Sequence, residues 1–143
     1  KEQAKKGIVE IKKLDKNIFH RNNIYKKYIE LFEAFGIYCF RIPDNYFSTC
    51  LKFPVLVKSK EKILQLAENN NLEIADWFLS PIHPIKNDLH KWNYESSSNP
   101  IAEKISEHIV GLPTHNKIDE KYFERLNLFI RNNRDEFLNE KIA

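Results

Sequence analysis

With 143 residues, 42% of them hydrophobic and 13% aromatic, the chain is long enough to bury one core and too apolar to be wholly disordered. Its 23 Lys+Arg against 20 Asp+Glu leave a net charge of +3, which creates no demand for nucleic acid, and no apolar run approaches the roughly 20 residues that cross a bilayer. Two cysteines make neither a disulfide framework nor a zinc site, and three scattered glycines cannot build a phosphate-cradling loop. No apolar stretch of signal-peptide type follows the first residues, so a cytoplasmic protein is expected. The chain has no methionine and starts at Lys1, which is expected of a trimmed product or a piece of something longer.

Ile8, Ile11, Leu14, Ile18, Tyr25, Tyr28, Leu31 or Phe32, and Phe35 recur at helical steps without a proline, and Gly36 is placed to end the helix. A helix over 2–35 would run roughly 50 Å at 1.5 Å per residue. Asp15–Asn23 offers a weak point for a break. The stripe suits ordinary core, or a helix reaching beyond the domain to another domain or subunit. Ile37–Ile42 reads as a strand on β propensity, and Pro43, Asp44 and Asn45 as a turn. Leu51–Lys58 alternates as a second strand, with Pro54 predicting an edge or a bulge. Ser59 is a good N-cap for a helix over Lys60–Glu68, which Asn69, Asn70 and Asn71 would end. Leu72–Asp76 reads as a third strand, completing a strand–helix–strand unit whose crossover would be right-handed if its strands were parallel neighbours.

Trp77–Ser98 holds two prolines, two histidines, two tryptophans and a serine run. It is predicted to be an ordered, irregular loop with one helical turn near Asp88–Trp92. Asn99-Pro100 opens the next helix, carrying Ile101, Ile105 and Ile109, with Gly111 and Pro113 as its stop. Asp119 caps the last helix, with Ile118 and Phe123 spaced for a hydrophobic staple. The fold class is therefore α/β (α+β). It comprises a long N-terminal helix, a small three-stranded sheet with a strand–helix–strand unit, and two C-terminal helices packed on one face.

His83, held between Pro81 and Pro84 in a stiff aromatic loop, is the most suggestive side chain, either as a ligand contact or as a histidine bonded to a nearby carbonyl. His83 and His90, seven apart, match no zinc spacing. Cys39 or Cys50 would need a local positive field to act as a nucleophile. A disulfide between them stays open; reduced thiols are the reading adopted. Lys5, Lys6, Lys12, Lys13 and Lys16 read as the wet face of an amphipathic helix, and pairs such as Glu61/Glu68 as solvated surface.

Leu51–Lys58, the short helix after it, Leu72–Phe78 and Ser80-Pro81-Ile82-His83-Pro84 together resemble the small domain of the DegT/StrS-type aminotransferases. The Asn99–Ile105 helix start, the Gly111-Leu112-Pro113-Thr114-His115 turn and the Ile118–Phe129 helix are similar to that family's closing segment. The opening helix, with Lys13-Leu14-Asp15 and His20-Arg21, looks like the one that leaves the large domain, so the resemblance divides the chain into a linking helix (1–36) and the small domain (37–143).

The resemblance implies a fold-type I, pyridoxal-phosphate enzyme that aminates keto groups of nucleotide-linked sugars in polysaccharide biosynthesis. It also implies a homodimer and a missing large domain that carries the cofactor lysine. No lysine here matches the cofactor-lysine motif, so no catalytic or cofactor-binding residue is transferred and this piece alone is expected to be inactive. His83 falls where the family has a proline-x-histidine loop reaching toward the substrate, and Trp77 and Ser80 flank it as weaker candidates. The competing class is a non-catalytic binding or interaction module derived from the same fold. A nucleic-acid binder is disfavoured by the modest charge.

Overall fold

The computed structural model describes residues 1–141. Helix α1 (Glu2–Ile11) and helix α2 (Leu14–Ala34) replace the single opening helix. The break falls at Lys12 and Lys13, before the expected weak point, and both residues keep right-handed backbone angles. The two readings of the apolar stripe divide along its length. No residue of α1 is buried, and Ile8, Ile11 and Leu14 are 57%, 70% and 51% exposed. From Ile24 onward the stripe is core, through Tyr25, Tyr28 and Phe32.

Gly36 ends α2 at φ +62°. The Gly36 N–H donates to Glu33 O (2.9 Å) and the Ile37 N–H to Phe32 O (3.0 Å), the paired bonds of a Schellman cap. Arg134 reaches across to donate to the carbonyls of Phe35 and Gly36, satisfying acceptors the helix end leaves open. A Cβ on Gly36 would meet only Arg134 Nη2, at 3.8 Å. Gly36→Ala should therefore lose about 1–2 kcal/mol through backbone strain alone. Urea unfolding checks this, and an unchanged midpoint would mean that the left-handed cap is dispensable.

The sheet has two strands, not three: β1 (Lys52–Leu56) and β2 (Ile109–Pro113), antiparallel, with Lys52 opposite Pro113 and Leu56 opposite Ile109. Ile109–Pro113 corrects the expected end of the preceding helix. Helix α4 (Pro100–His108) stops at His108, and all five residues that follow are buried. Ile37–Ile42 joins no ladder; the Tyr38 N–H donates to Leu138 O at 3.1 Å, and Tyr38 and Phe40 pack by their side chains on Leu56 and Ile109. Leu72–Asp76 contributes one bridge, Ala75 with Gly111, whose two hydrogen bonds are each 2.9 Å.

Because those bonds occupy both backbone groups of Gly111, its partner Pro54 stands at a non-hydrogen-bonded position of β1. The N–H that proline lacks costs no ladder bond there. Ala75 and β1 thus lie on opposite sides of β2, and the strand–helix–strand unit has no parallel neighbours.

Helix α3 (Lys60–Asn69) starts at its predicted cap, Ser59 Oγ accepting from Lys62 N–H at 3.3 Å. Helix α5 (Glu120–Asn132) starts at Asp119, which accepts from Tyr122 N–H at 3.0 Å. The last two helices pack on opposite faces rather than one. Phe53, Val55, Val110 and Leu112 meet α2, α3 and α5, whereas Leu56 and Ile109 meet Ile105 of α4 with Tyr38, Phe40 and Leu138. Alternation of side chains along β1 and β2 dictates this, since odd and even positions point to different sides.

Candidate functional site

The Trp77–Ser98 loop is tied at both ends by charged side chains. At its start stands Lys60, the first residue of α3, whose side chain is only 13% exposed. Its ammonium pairs with the Asp76 carboxylate and donates to Phe78 O (2.7 Å) and Ser106 O (2.9 Å). One side chain thereby fastens the loop to α3 and to a carbonyl in the last turn of α4, where a cation suits the helix dipole. At the far end, Glu103 of α4 accepts from Tyr94 O–H (2.9 Å) and Ser97 N–H (2.8 Å). A 3₁₀ turn over Leu89–Trp92 falls where one helical turn is expected.

Between these anchors the structure brings Trp77 and His83 together. Their rings are stacked, with centroids 6.0 Å apart and planes 19° apart, and Phe78 meets the imidazole edge-on at 5.8 Å. His83 is exposed, and its Nδ1 accepts from Leu79 N–H at 3.3 Å. Nδ1 is thus the unprotonated nitrogen of the neutral ring, and Nε2 carries the hydrogen. Lys52 Nζ lies 5.9 Å from the Trp77 ring centre. Ser80 is placed differently. It is 5% exposed, its Oγ accepts from Ile82 N–H (3.2 Å), and its carbonyl accepts from His83 N–H (3.2 Å). It shapes the loop from inside and lines a groove of about 510 Å³ with His90, Glu103 and Ser106.

A second cluster ties α2 to the sheet. Buried Thr114 donates from Oγ1 to Cys50 O (2.6 Å), and Arg21 donates to Thr114 Oγ1 and Leu51 O (3.1 Å each). His20 Nε2 lies 3.1 Å from His115 O, and His115 Nε2 lies 2.9 Å from Glu73 Oε2. Thr114, Glu73 and Lys60 escaped sequence reasoning; a cap-adjacent lysine or a turn threonine carries no local sign of its distant partners. The thiols do not suit nucleophilic work. Burial pushes Cys39 up to about 12 and also raises Cys50, although Ser48 and Arg21 oppose that shift. Among the described residues, no three His, Cys, Asp or Glu side chains converge as a metal set.

The model of the DegT/DnrJ/EryC1/StrS aminotransferase family matches residues 2–128. The chain belongs to that family. Solved structures agree in fold. A DegT/DnrJ/EryC1/StrS aminotransferase from Brucella abortus superposes with a TM-score of 0.73 at 16% identity, over 87% of this chain and 33% of its own. A protein assigned as a sugar aminotransferase from Streptococcus pneumoniae, in its apo form, superposes with a TM-score of 0.74 at 14% identity, over 88% of this chain and 33% of its own. The chain thus spans about a third of the length of these structures. No curated protein matches it.

In this DegT-family chain the Trp77–His83 stack borders a cleft of about 270 Å³ lined by Leu51, Lys52, Trp77, Phe78 and Gly111. A larger groove of about 520 Å³ lies elsewhere, between α2 and residues 41–48, and none of Trp77, Ser80 and His83 lines it.

Proposed function

We propose that this chain is the small domain of a pyridoxal-phosphate-dependent aminotransferase that acts on a nucleotide-linked keto-sugar. Residues 1–36 link it to a large domain, and residues 37–143 cap the active site and share the subunit interface of a homodimer. The observation that carries the reading is the exposed His83, stacked on Trp77 and with no hydrogen-bond partner at Nε2 among the described residues, on a loop braced at both ends. Such a donor suits a sugar hydroxyl or a phosphate oxygen. Trp77 offers an apolar wall beside it, and Ser80 holds the turn that aims it. The uncovered apolar side chains of α1 and of the start of α2 support the linking role, because exposed Ile8, Ile11 and Leu14 forgo burial that a large domain would provide.

Pyridoxal phosphate acts as an electron sink once a lysine amine engages its aldehyde. Lys60 does not suit the part of that amine. Lys60 is the least exposed of the ion-paired lysines, and Asp76, Phe78 and Ser106 occupy its donors. In the proposed reading, the large domain holds the cofactor and this domain supplies substrate contacts.

The test is made in the full-length enzyme, supplied with pyridoxal phosphate, an amino donor and a nucleotide-linked keto-sugar. His83→Ala should lower kcat/KM by the loss of one hydrogen bond, about 0.5–1.5 kcal/mol to a neutral group and more to a charged one. Folding should be unaffected. Unchanged kinetics would remove His83 from the site. A wild-type enzyme that transaminates no such sugar would favour the non-catalytic module.

A further inference from the structure

The Phe78–Leu79 peptide carries two contacts at once. Its carbonyl accepts from Lys60 Nζ at 2.7 Å, and its N–H donates to His83 Nδ1 at 3.3 Å. A cation at the oxygen polarises the whole amide and makes its N–H the stronger donor, so the two bonds reinforce each other. We infer that Lys60 is a positioning residue for His83: acting through this single peptide, it holds the imidazole as the Nε2–H tautomer, with the ring against Trp77 and its remaining N–H directed outward.

The relay is fastened independently of any ligand. Asp76 and Ser106 O fix the ammonium, while the Ser80 O···H–N His83 bond (3.2 Å) and the ring stack fix the imidazole. Its consequence for ligand choice rests on the reading of His83 as a substrate contact. A ligand group docking on this face meets a donor, and therefore has to present an oxygen acceptor rather than an N–H or an ammonium.

Side-chain nitrogen NMR on the 143-residue chain tests the relay without substrate. Read on the neutral form, His83 should give the pattern of a single Nε2–H tautomer. Scalar couplings should cross both hydrogen bonds, from Leu79 N to His83 Nδ1 and from Lys60 Nζ to the Phe78 carbonyl carbon. Lys60→Gln, which removes the charge, should lose the Leu79–His83 coupling and average the tautomer pattern, and Lys60→Arg should restore both.

A protonated Nδ1 in the wild type, or absence of either coupling there, overturns the relay whether or not the variants fold. So does a folded Lys60→Gln whose His83 signals superimpose on those of the wild type. Kinetics of His83→Ala do not enter this test, so the relay can stand while the substrate reading fails, or the reverse.

Discussion

Phe53→Ala is expected to destabilise the domain by about 3–5 kcal/mol, the usual cost of emptying a fully buried phenylalanine site. Phe53 is completely buried in β1, and three rings of α2 converge on it: Tyr25 and Tyr28 with centroids at 4.8 Å and Phe32 at 5.7 Å. The void would open where the helix meets the sheet, and the neighbouring rings are too constrained by one another to collapse into it. Phe53→Leu should recover a large part of the loss by refilling volume. Urea unfolding followed by far-ultraviolet circular dichroism gives both values. A loss under about 1 kcal/mol for alanine would place the centre of the core elsewhere.

Stability should also fall steeply on the alkaline side. Burial pushes Cys39 and Tyr25 each up to about 12, and it likewise raises Tyr28 and Tyr122. In the unfolded chain these groups return toward ordinary values of 9.0 for the thiol and 10.0 for the phenols. The folded state therefore keeps protons that the unfolded state releases. Their full contribution holds below pH 9.0 and drains away as pH rises toward the folded values. While a group is ionised in the unfolded chain only, it removes about 1.4 kcal/mol per pH unit. Denaturation midpoints should be unaffected by these groups up to about pH 9 and drop with growing slope above it. Tyr28→Phe should make the drop shallower. A midpoint flat through about pH 11 would show that these groups are not shielded.

What could be read from the sequence was local chemistry. Ser59 and Asp119 announce helix starts because a cap bonds its own helix three residues on, and Gly36 announces a stop because only its backbone takes a positive φ cheaply. Ile109–Pro113 was hidden for a physical reason. Every residue of the strand is buried, so no alternation marks it, and its Gly and Pro imitate a helix stop. Ile37–Ile42 errs the other way, since aromatic and β-branched residues favour a pleated, half-buried surface without guaranteeing a partner strand.

At the candidate site, the prolines and aromatics around His83 marked the loop, but its bracing was illegible. Lys60 meets a carbonyl 46 positions away and Glu73 meets His115 at 42, and no short-range pattern encodes such meetings.

The pairing of β1 with β2 also constrains how the chain reaches this state. Leu56 and Ile109 are roughly fifty residues apart, and the two intervening α-helices, the loop and its 3₁₀ turn have no sheet to rest on until they meet. Even the Ala75 bridge waits for Gly111, because its partner is the later strand and not the earlier one. Loop-closure entropy is thus spent before any ladder bond forms. During synthesis the segment that bears His83 leaves the ribosome well before the strand that organises the sheet beneath it. The braces that Ser106 and Glu103 give the loop proposed to contact the substrate can likewise close only once α4 has been made.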